Sequence, residues 1–175
     1  YDPAWSTDCI SGSCLSFDGI DDYVNVSDSS TISNLRYITV EFWVKLNELK
    51  DQFFYTKKTA EQAHELIIYQ GKLGFWVKVD GNWHSVEVNA TSYLKEDEWY
   101  HIAASYNGTH LALYVNGSLV NSSYFEGWLN STSGSDLCIG LNDFLTGESS
   151  YPVNGSIDEF VIYSRALTQP EIRQH

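Results

Sequence analysis

The sequence predicts an all-β fold, an antiparallel β-sandwich closed by a short C-terminal helix. Three observations carry this. Apolar and polar residues alternate in run after run, the period of a strand with one buried face. The runs recur at roughly 8–12-residue intervals, separated by Gly, Asn and Asp turns. The chain holds 12 Tyr, 8 Phe and 6 Trp and no Met, and aromatic and β-branched residues favour strands. At 175 residues one sizeable core is the default, so residues 1–175 read as a single domain.

The elements follow in order. Tyr1 to Ile10 is short and polar. Leu15 and Phe17 alternate into a strand that Asp18-Gly19 turns, and Val24 and Val26 resume the alternation. Ile38, Val40, Phe42 and Val44 make the clearest strand, with Glu41, Trp43 and Lys45 on its other face. Phe53 to Tyr55, Leu66 to Tyr69 and Leu73 to Val79 are further strands, and Lys57 to His64 reads as a loop or one helical turn. Asp80-Gly81 between alternating runs is a hairpin signal; it pairs Lys78 with Trp83 and Trp76 with Ser85. Trp99 to Tyr106, Leu111 to Val115 and the short Leu119-Val120 follow. Asn121 to Asp136 reads as a loop, Leu137 to Leu141 as a strand, Asn142 to Pro152 as a loop, and Ile157 to Tyr163 as the last strand. Thr168-Gln169-Pro170-Glu171 is a capping box with Pro in the first turn, so a short helix follows.

Two acidic strand ends stand at opposite ends of the chain. Asp22 shares parity with Val24 and Val26, and Asp158 with Phe160 and Ile162, so both are expected to point inward. Inward carboxylates close together repel unless a cation lies between them. Asp18 and the carbonyls of the turn can complete an oxygen shell suited to Ca²⁺. The expected metal ligands are therefore Asp18, Asp22 and Asp158. Asp21 and Glu159, of opposite parity, are weaker candidates.

Charge and cysteine usage bound the setting. The formal net charge is −13 and the sequence pI about 4.5. Nucleic-acid phosphates and anionic membrane surfaces need Lys and Arg, so neither partner is expected. No apolar run approaches the ~18 residues of a membrane span. The chain opens on Tyr1-Asp2-Pro3, which reads as a piece processed or excised from a longer protein. Asn-x-Ser/Thr acceptors begin at Asn25, Asn89, Asn107, Asn116, Asn121, Asn130 and Asn154, seven in all. About two would arise by chance from the chain's Asn and Ser/Thr content. Asn-Gly-Ser/Thr also serves as turn chemistry at Asn107, Asn116 and Asn154. The excess predicts an N-glycosylated extracellular or cell-surface protein. Cys9 and Cys14 flank a turn-like loop that a disulfide can span; Cys14–Cys138 is the competing pairing. The C-x4-C spacing with no nearby His is poor for zinc.

FDGIDDYVNV, ITVEFWVKL, EWYHIAASYNGTHLALYVNGSLV and GSIDEFVIYSRALTQPEI resemble, in order, the signatures of laminin-G-like domains of the concanavalin A-like lectin/glucanase superfamily. The resemblance covers nearly the whole chain. It implies a jelly-roll β-sandwich and a structural calcium between the first turn and the terminal strand. That fold serves many functions, so function must come from the site.

Trp76 and Trp83 are predicted on the outer face of their hairpin beside Lys78, where tryptophans can stack on sugar rings. Trp128 lies in the Asn121–Asp136 loop, and loop aromatics often carry binding. These four, Trp76, Lys78, Trp83 and Trp128, are the candidate ligand-binding residues. Trp43 and Trp99 match positions that the resemblance makes structural. None of the five histidines has metal-ligand spacing to another, and His84 and His101 read as core residues. The glucanases of the superfamily need paired carboxylates alternating on one strand. No such triplet is present, Glu96-Asp97-Glu98 being consecutive, and no Ser/His/Asp set is legible, so no catalysis is expected. The expectation is a non-catalytic recognition module for glycan or cell-surface glycoprotein, held by calcium. The alternative is a glycosylated subunit that self-assembles into a surface layer, filament or sheath.

Overall fold

The computed structural model describes residues 2–58, 63–132, 134–142 and 151–175. Their strands are β1 (Ala4–Ser6), β2 (Cys14–Asp18), β3 (Val24–Val26), β4 (Ile38–Leu46), β5 (Gln52–Lys58), β6 (Ala63–Tyr69), β7 (Lys72–Val79), β8 (Asn82–Asn89), β9 (Trp99–Tyr106), β10 (His110–Val115), β11 (Ser118–Tyr124), β12 (Leu137–Ile139) and β13 (Asn154–Tyr163). Two one-turn helices, α1 (Ser30–Ser33) and α2 (Gln169–Ile172), and a 3-10 turn at Ala90–Ser92 complete the described elements. A seven-stranded sheet runs β1-β2-β13-β4-β9-β10-β11 and a six-stranded sheet runs β3-β12-β5-β6-β7-β8. The paired strands are antiparallel throughout. This is the jelly-roll sandwich with a short C-terminal helix.

Alternation builds the core. Val40, Phe42 and Val44 of β4, Leu66 and Ile68 of β6, Phe75 and Val77 of β7, and Ile102, Ala104 and Tyr106 of β9 face one another between the sheets, all at most 1% exposed. Truncating one of these phenylalanines to Ala costs about 3–5 kcal/mol. The β7–β8 hairpin turns at Asp80 and Gly81, with φ of 47° and 83°. These left-handed angles match the right-handed strand twist. The register sets Lys78 opposite Trp83 and Trp76 opposite Ser85.

Helix α2 starts on its capping box: Thr168 and Glu171 satisfy each other's backbone ends. Leu167 and Ile172 then bury against Ala103, Ala112 and Tyr114 on the outer face of the seven-stranded sheet. This outer cluster closes one side of that sheet.

Three elements depart from the sequence reading. The polar N-terminal segment contributes β1, because its backbone pairs with β2 through Ala4–Ser16, Trp5–Leu15 and Ser6–Cys14. β11 runs to Tyr124, inside the expected loop, since pairing with β10 satisfies the backbone of an otherwise polar stretch. β5 reaches Lys58 and β6 begins at Ala63, so the ends of the expected Lys57–His64 loop are strand. Its middle, and residues 143–150 of the expected Asn142–Pro152 loop, lie outside the described residues.

Candidate functional site

The turn after β2 gathers acids. Asp18 Oδ1 accepts the Ile20 N–H at 2.8 Å, and Asp22 Oδ2 accepts the Asp18 N–H at 3.0 Å. These bonds fold the turn back so that carboxylate oxygens of Asp18, Asp21 and Asp22 all lie within 4.8 Å of one another. Gly19 takes φ +78°, and a Cβ there would stand 2.8 Å from the Asn154 Cβ, so the turn packs closely on the start of β13. Asp22 is buried. Beside it runs the segment after β12: a Cβ on Gly140 would lie 3.3 Å from the Asp22 carbonyl oxygen. Two residues on, Asn142 is buried and its Oδ1 has no hydrogen-bond partner among the described residues. Hard oxygen donors clustered in this way fit a calcium-type ion.

Asp158 does not join this cluster, which corrects the expected clasp. The β2–β13 ladder sets Asn154, not Asp158, opposite Asp18, and Asp158 is four residues further along β13. Its carboxylate is already used. Oδ2 accepts the N–H groups of Ile10 and Ser11 at 2.9 Å each, and Oδ1 accepts the Glu159 N–H at 2.9 Å. The parity argument failed at a bulge. β13 pairs Asp158 with Trp43 but Val161 with Glu41, an extra residue taken up at Glu159, whose φ is +49°. The bulge returns Phe160 and Ile162 to the core while Asp158 stays on the outer face. Glu159 is exposed there, remote in the ladder from the acidic turn.

The aromatic candidates fall in two places. Trp76, Lys78 and Trp83 lie on the outer face of the six-stranded sheet. Trp83 meets Trp76 edge-on at 6.4 Å between ring centroids, and Lys78 Nζ sits 5.9 Å from the Trp83 centroid. A cavity of about 200 Å³ opens beside Trp76, bounded by Tyr69, Gln70, Lys72 and Glu87. Gly74 leaves room for one wall of this cavity, since a Cβ there would stand 2.9 Å from Trp76 Nε1 and 3.1 Å from Glu87 Cγ. Lys72 Nζ and Glu87 Oε2 pair across it at 3.1 Å. Tyr69 and Lys72 escaped the sequence reading because they join Trp76 and Glu87 only across the β6–β7–β8 ladder.

Trp128, half exposed, stands elsewhere, at one end of the sandwich. It contacts Tyr37 at 6.0 Å between centroids and lies under the Arg36 guanidinium at 4.8 Å. With Asp80, Glu126 and the Asn107–Thr109 turn it bounds a cavity of about 260 Å³.

Cys9 and Cys14 are joined, with Cα atoms 5.6 Å apart, and Cys138 is buried outside that disulfide. The Asn-x-Ser/Thr sites differ in what their amide groups do. Asn89 and Asn107 are exposed and turn Oδ1 back onto their own threonines: Thr91 N and Oγ1 at 3.1 and 2.8 Å, Thr109 N and Oγ1 at 3.0 Å each. Asn116 and Asn130 use Oδ1 to accept the His101 and Gly81 N–H groups. The Nδ2 groups of Asn25, Asn121 and Asn154 are spent as donors to Asp136, the Glu87 carbonyl and Glu48.

Among solved structures, the chain is similar to domain 4 of the extracellular arabinanase AbnA from Geobacillus stearothermophilus, solved with arabinotriose. The identity is 22% and the TM-score 0.78, over 99% of this chain and 81% of that one. It is similar also to the native heptameric SAP-like pentraxin of Limulus polyphemus, at 16% identity and TM-score 0.67, over 90% and 78%. The binding domain of botulinum neurotoxin serotype G matches at 15% and 0.75, over 99% of this chain and 44% of that one. At these identities the likeness is one of fold. No curated protein sequence matches. The laminin G model described as concanavalin A-like lectin/glucanases superfamily matches residues 18–173, from the acidic turn through α2. A sandwich of two antiparallel sheets, opened by that turn and closed by that helix, thus places the chain in the concanavalin A-like lectin/glucanase superfamily.

Proposed function

We propose that this domain is a non-catalytic extracellular recognition module that binds glycan on the outer face of its six-stranded sheet. The observation that carries the reading is the cradle beside Trp76. Trp76 offers an apolar ring face for sugar C–H groups, while Glu87, Lys72 and Gln70 offer donors and acceptors for hydroxyls. An aromatic platform beside a few fixed polar groups is the usual composition of such a site. The solved neighbours support the class: one was determined with a bound arabinose oligosaccharide and another is a toxin binding domain. The Trp128 cavity is a second contact area for a longer glycan.

The test is a glycan array that includes arabino-oligosaccharides, followed by calorimetry with the best hit. Trp76→Ala is expected to weaken binding at least ~10-fold, the scale of one lost aromatic contact and its burial. Gly74→Ala is expected to weaken it too, because a Cβ there would meet Trp76 Nε1 at 2.9 Å and force the indole to shift. A wild-type chain that binds nothing, or Trp76→Ala binding at full strength, sinks the reading.

Calcium belongs to the same proposal. Asp18, Asp21 and Asp22 would hold it. When bound, the ion would neutralise the clustered carboxylates and fasten the turn. The extracellular setting rests on the Cys9–Cys14 disulfide and on the surface acceptors Asn89 and Asn107.

A second reading, self-assembly into a surface structure, is favoured by Trp5. It is 77% exposed on β1, the edge strand of the larger sheet, and an open edge is a template for pairing between copies. A monomeric mass in size-exclusion light scattering at about 100 μM, a concentration that weak association reaches, overturns that reading.

A further inference from the structure

The outer face of the seven-stranded sheet carries a second cleft, of about 360 Å³, on the opposite sheet from the Trp76 cradle. Its floor is Glu41, whose side chain is only 4% exposed. Glu41 Oε1 is used: it accepts the Tyr163 hydroxyl at 2.9 Å and meets His175 Nδ1. Oε2 has no hydrogen-bond partner among the described residues, and His101 Nε2 is 3.7 Å away. His101 was expected in the sandwich core; it is buried instead beneath this cleft, with its ring 5.4 Å from that of Trp43. Burial holds the His101 imidazole below its ordinary pKa, against the opposite pull of Glu41 and with a smaller push in the same direction from His175. The floor is therefore a buried acceptor lacking one donor, and such a group is costly unless something completes it.

The walls are built, not incidental. Asp158 fixes the Ile10–Ser11 rim through two backbone N–H bonds, and the Cys9–Cys14 disulfide ties the same loop. The β13 bulge sets exposed Glu159 on the rim. Trp43 and Tyr163 supply ring surfaces. Among the described residues no Lys or Arg lines the cleft, which disfavours an anion. The His and Glu ligand atoms here do not gather into a three-membered set within 4.8 Å, as those of the acidic turn do, so a metal ion does not fit.

We infer that this cleft binds a primary ammonium group, which donates to Glu41 Oε2, lies against Trp43 and is neutralised by Glu41 and Glu159. An amino sugar and a lysine side chain present the same group. The site is independent of the glycan cradle.

The experiment is an NMR titration of the whole chain at pH 7 with D-glucosamine and with Nα-acetyl-lysine methylamide. N-acetylglucosamine and Nα,Nε-diacetyl-lysine methylamide are the uncharged controls. At least one amine is expected to bind ~10-fold tighter than its acetylated counterpart, shifting the Trp43 indole signal. The better amine shows whether sugar or lysine is the source. Glu41→Gln is expected to weaken binding at least fivefold, and so is Glu159→Gln, which sits on the exposed rim and leaves the fold unstressed. Trp76→Ala is expected to change nothing here, which separates this site from the cradle. Amines that fail to shift Trp43 up to about 20 mM, acetylated controls that bind equally, or a Glu159→Gln chain that binds at full strength would each overturn the inference.

Discussion

Lys57 is wholly buried, with Nζ 2.8 Å from Asp28 Oδ1 and a second bond to the Ser135 carbonyl. Lys57, with the Ser33 hydroxyl and the Gly134 N–H, holds the Asp28 carboxyl well below the usual carboxylate range. Removing one partner of such a pair leaves a charge buried alone, whereas replacing both can be nearly neutral. Asp28→Ala is therefore expected to lower the midpoint of urea unfolding, and Asp28→Ala with Lys57→Met to recover most of the loss. His64 gives a second residue-scale prediction. It is buried against the Tyr55 hydroxyl at 3.1 Å, and burial first, then Lys57, lower its pKa from 6.5 to about 3. The unfolded chain therefore takes up this proton more readily than the folded one. The stability from the neutral imidazole is complete above pH 6.5 and is lost as pH falls from there toward 3. Melting temperature should decline across that window, and His64→Gln should flatten the decline between pH 6.5 and 5. An unchanged slope would mean that carboxylates alone account for acid sensitivity.

The elements show where side-chain period suffices and where it does not. β4, β7, β8 and β9 were legible because each keeps strict alternation over its length, and the Asp80-Gly81 turn fixes the register that sets Trp76 and Trp83 outward. β13 was legible as a strand but not in its faces. A single left-handed residue, Glu159, shifts every later side chain, and nothing in GSIDEFVIY marks it. β1 was not legible, because a three-residue polar edge strand has no apolar period and exists only by pairing with β2. The Asp158 result also changes what its mutation means. Asp158→Ala removes two bonds to the Ile10–Ser11 loop and should lower stability by ~1–3 kcal/mol without altering the response to calcium. Differential scanning calorimetry with and without chelator checks this.

At the scale of the molecule, the two sheets present different chemistry. The six-stranded sheet shows the Trp76 cradle, the seven-stranded sheet the Glu41 cleft, and the acidic turn packs on the start of β13 and on the segment after β12. A calcium ion at that turn would fasten β2 and β3, which belong to different sheets. Added Ca²⁺ is expected to raise the melting temperature by several degrees, about 2–4 °C per kcal/mol at this size. Asp22→Asn should abolish the rise while Asp158→Ala retains it. A melting curve indifferent to calcium and chelator would leave the acidic turn as turn chemistry alone.

By itself, the sequence determined the sandwich, its outward tryptophans, the acidic turn and the capped terminal helix. Each is written in local signals, a two-residue period, a turn dipeptide or a capping box, that act within a few residues of chain. Only the tertiary structure decided which acids share a site. It paired Asp18, Asp21 and Asp22 with one another, gave Asp158 to a backbone loop, and set Glu41 beside His101 from a different strand. Such partnerships depend on ladder register and on one bulge. Register is a long-range property, fixed by how two sheets close over a common core and by no residue read alone.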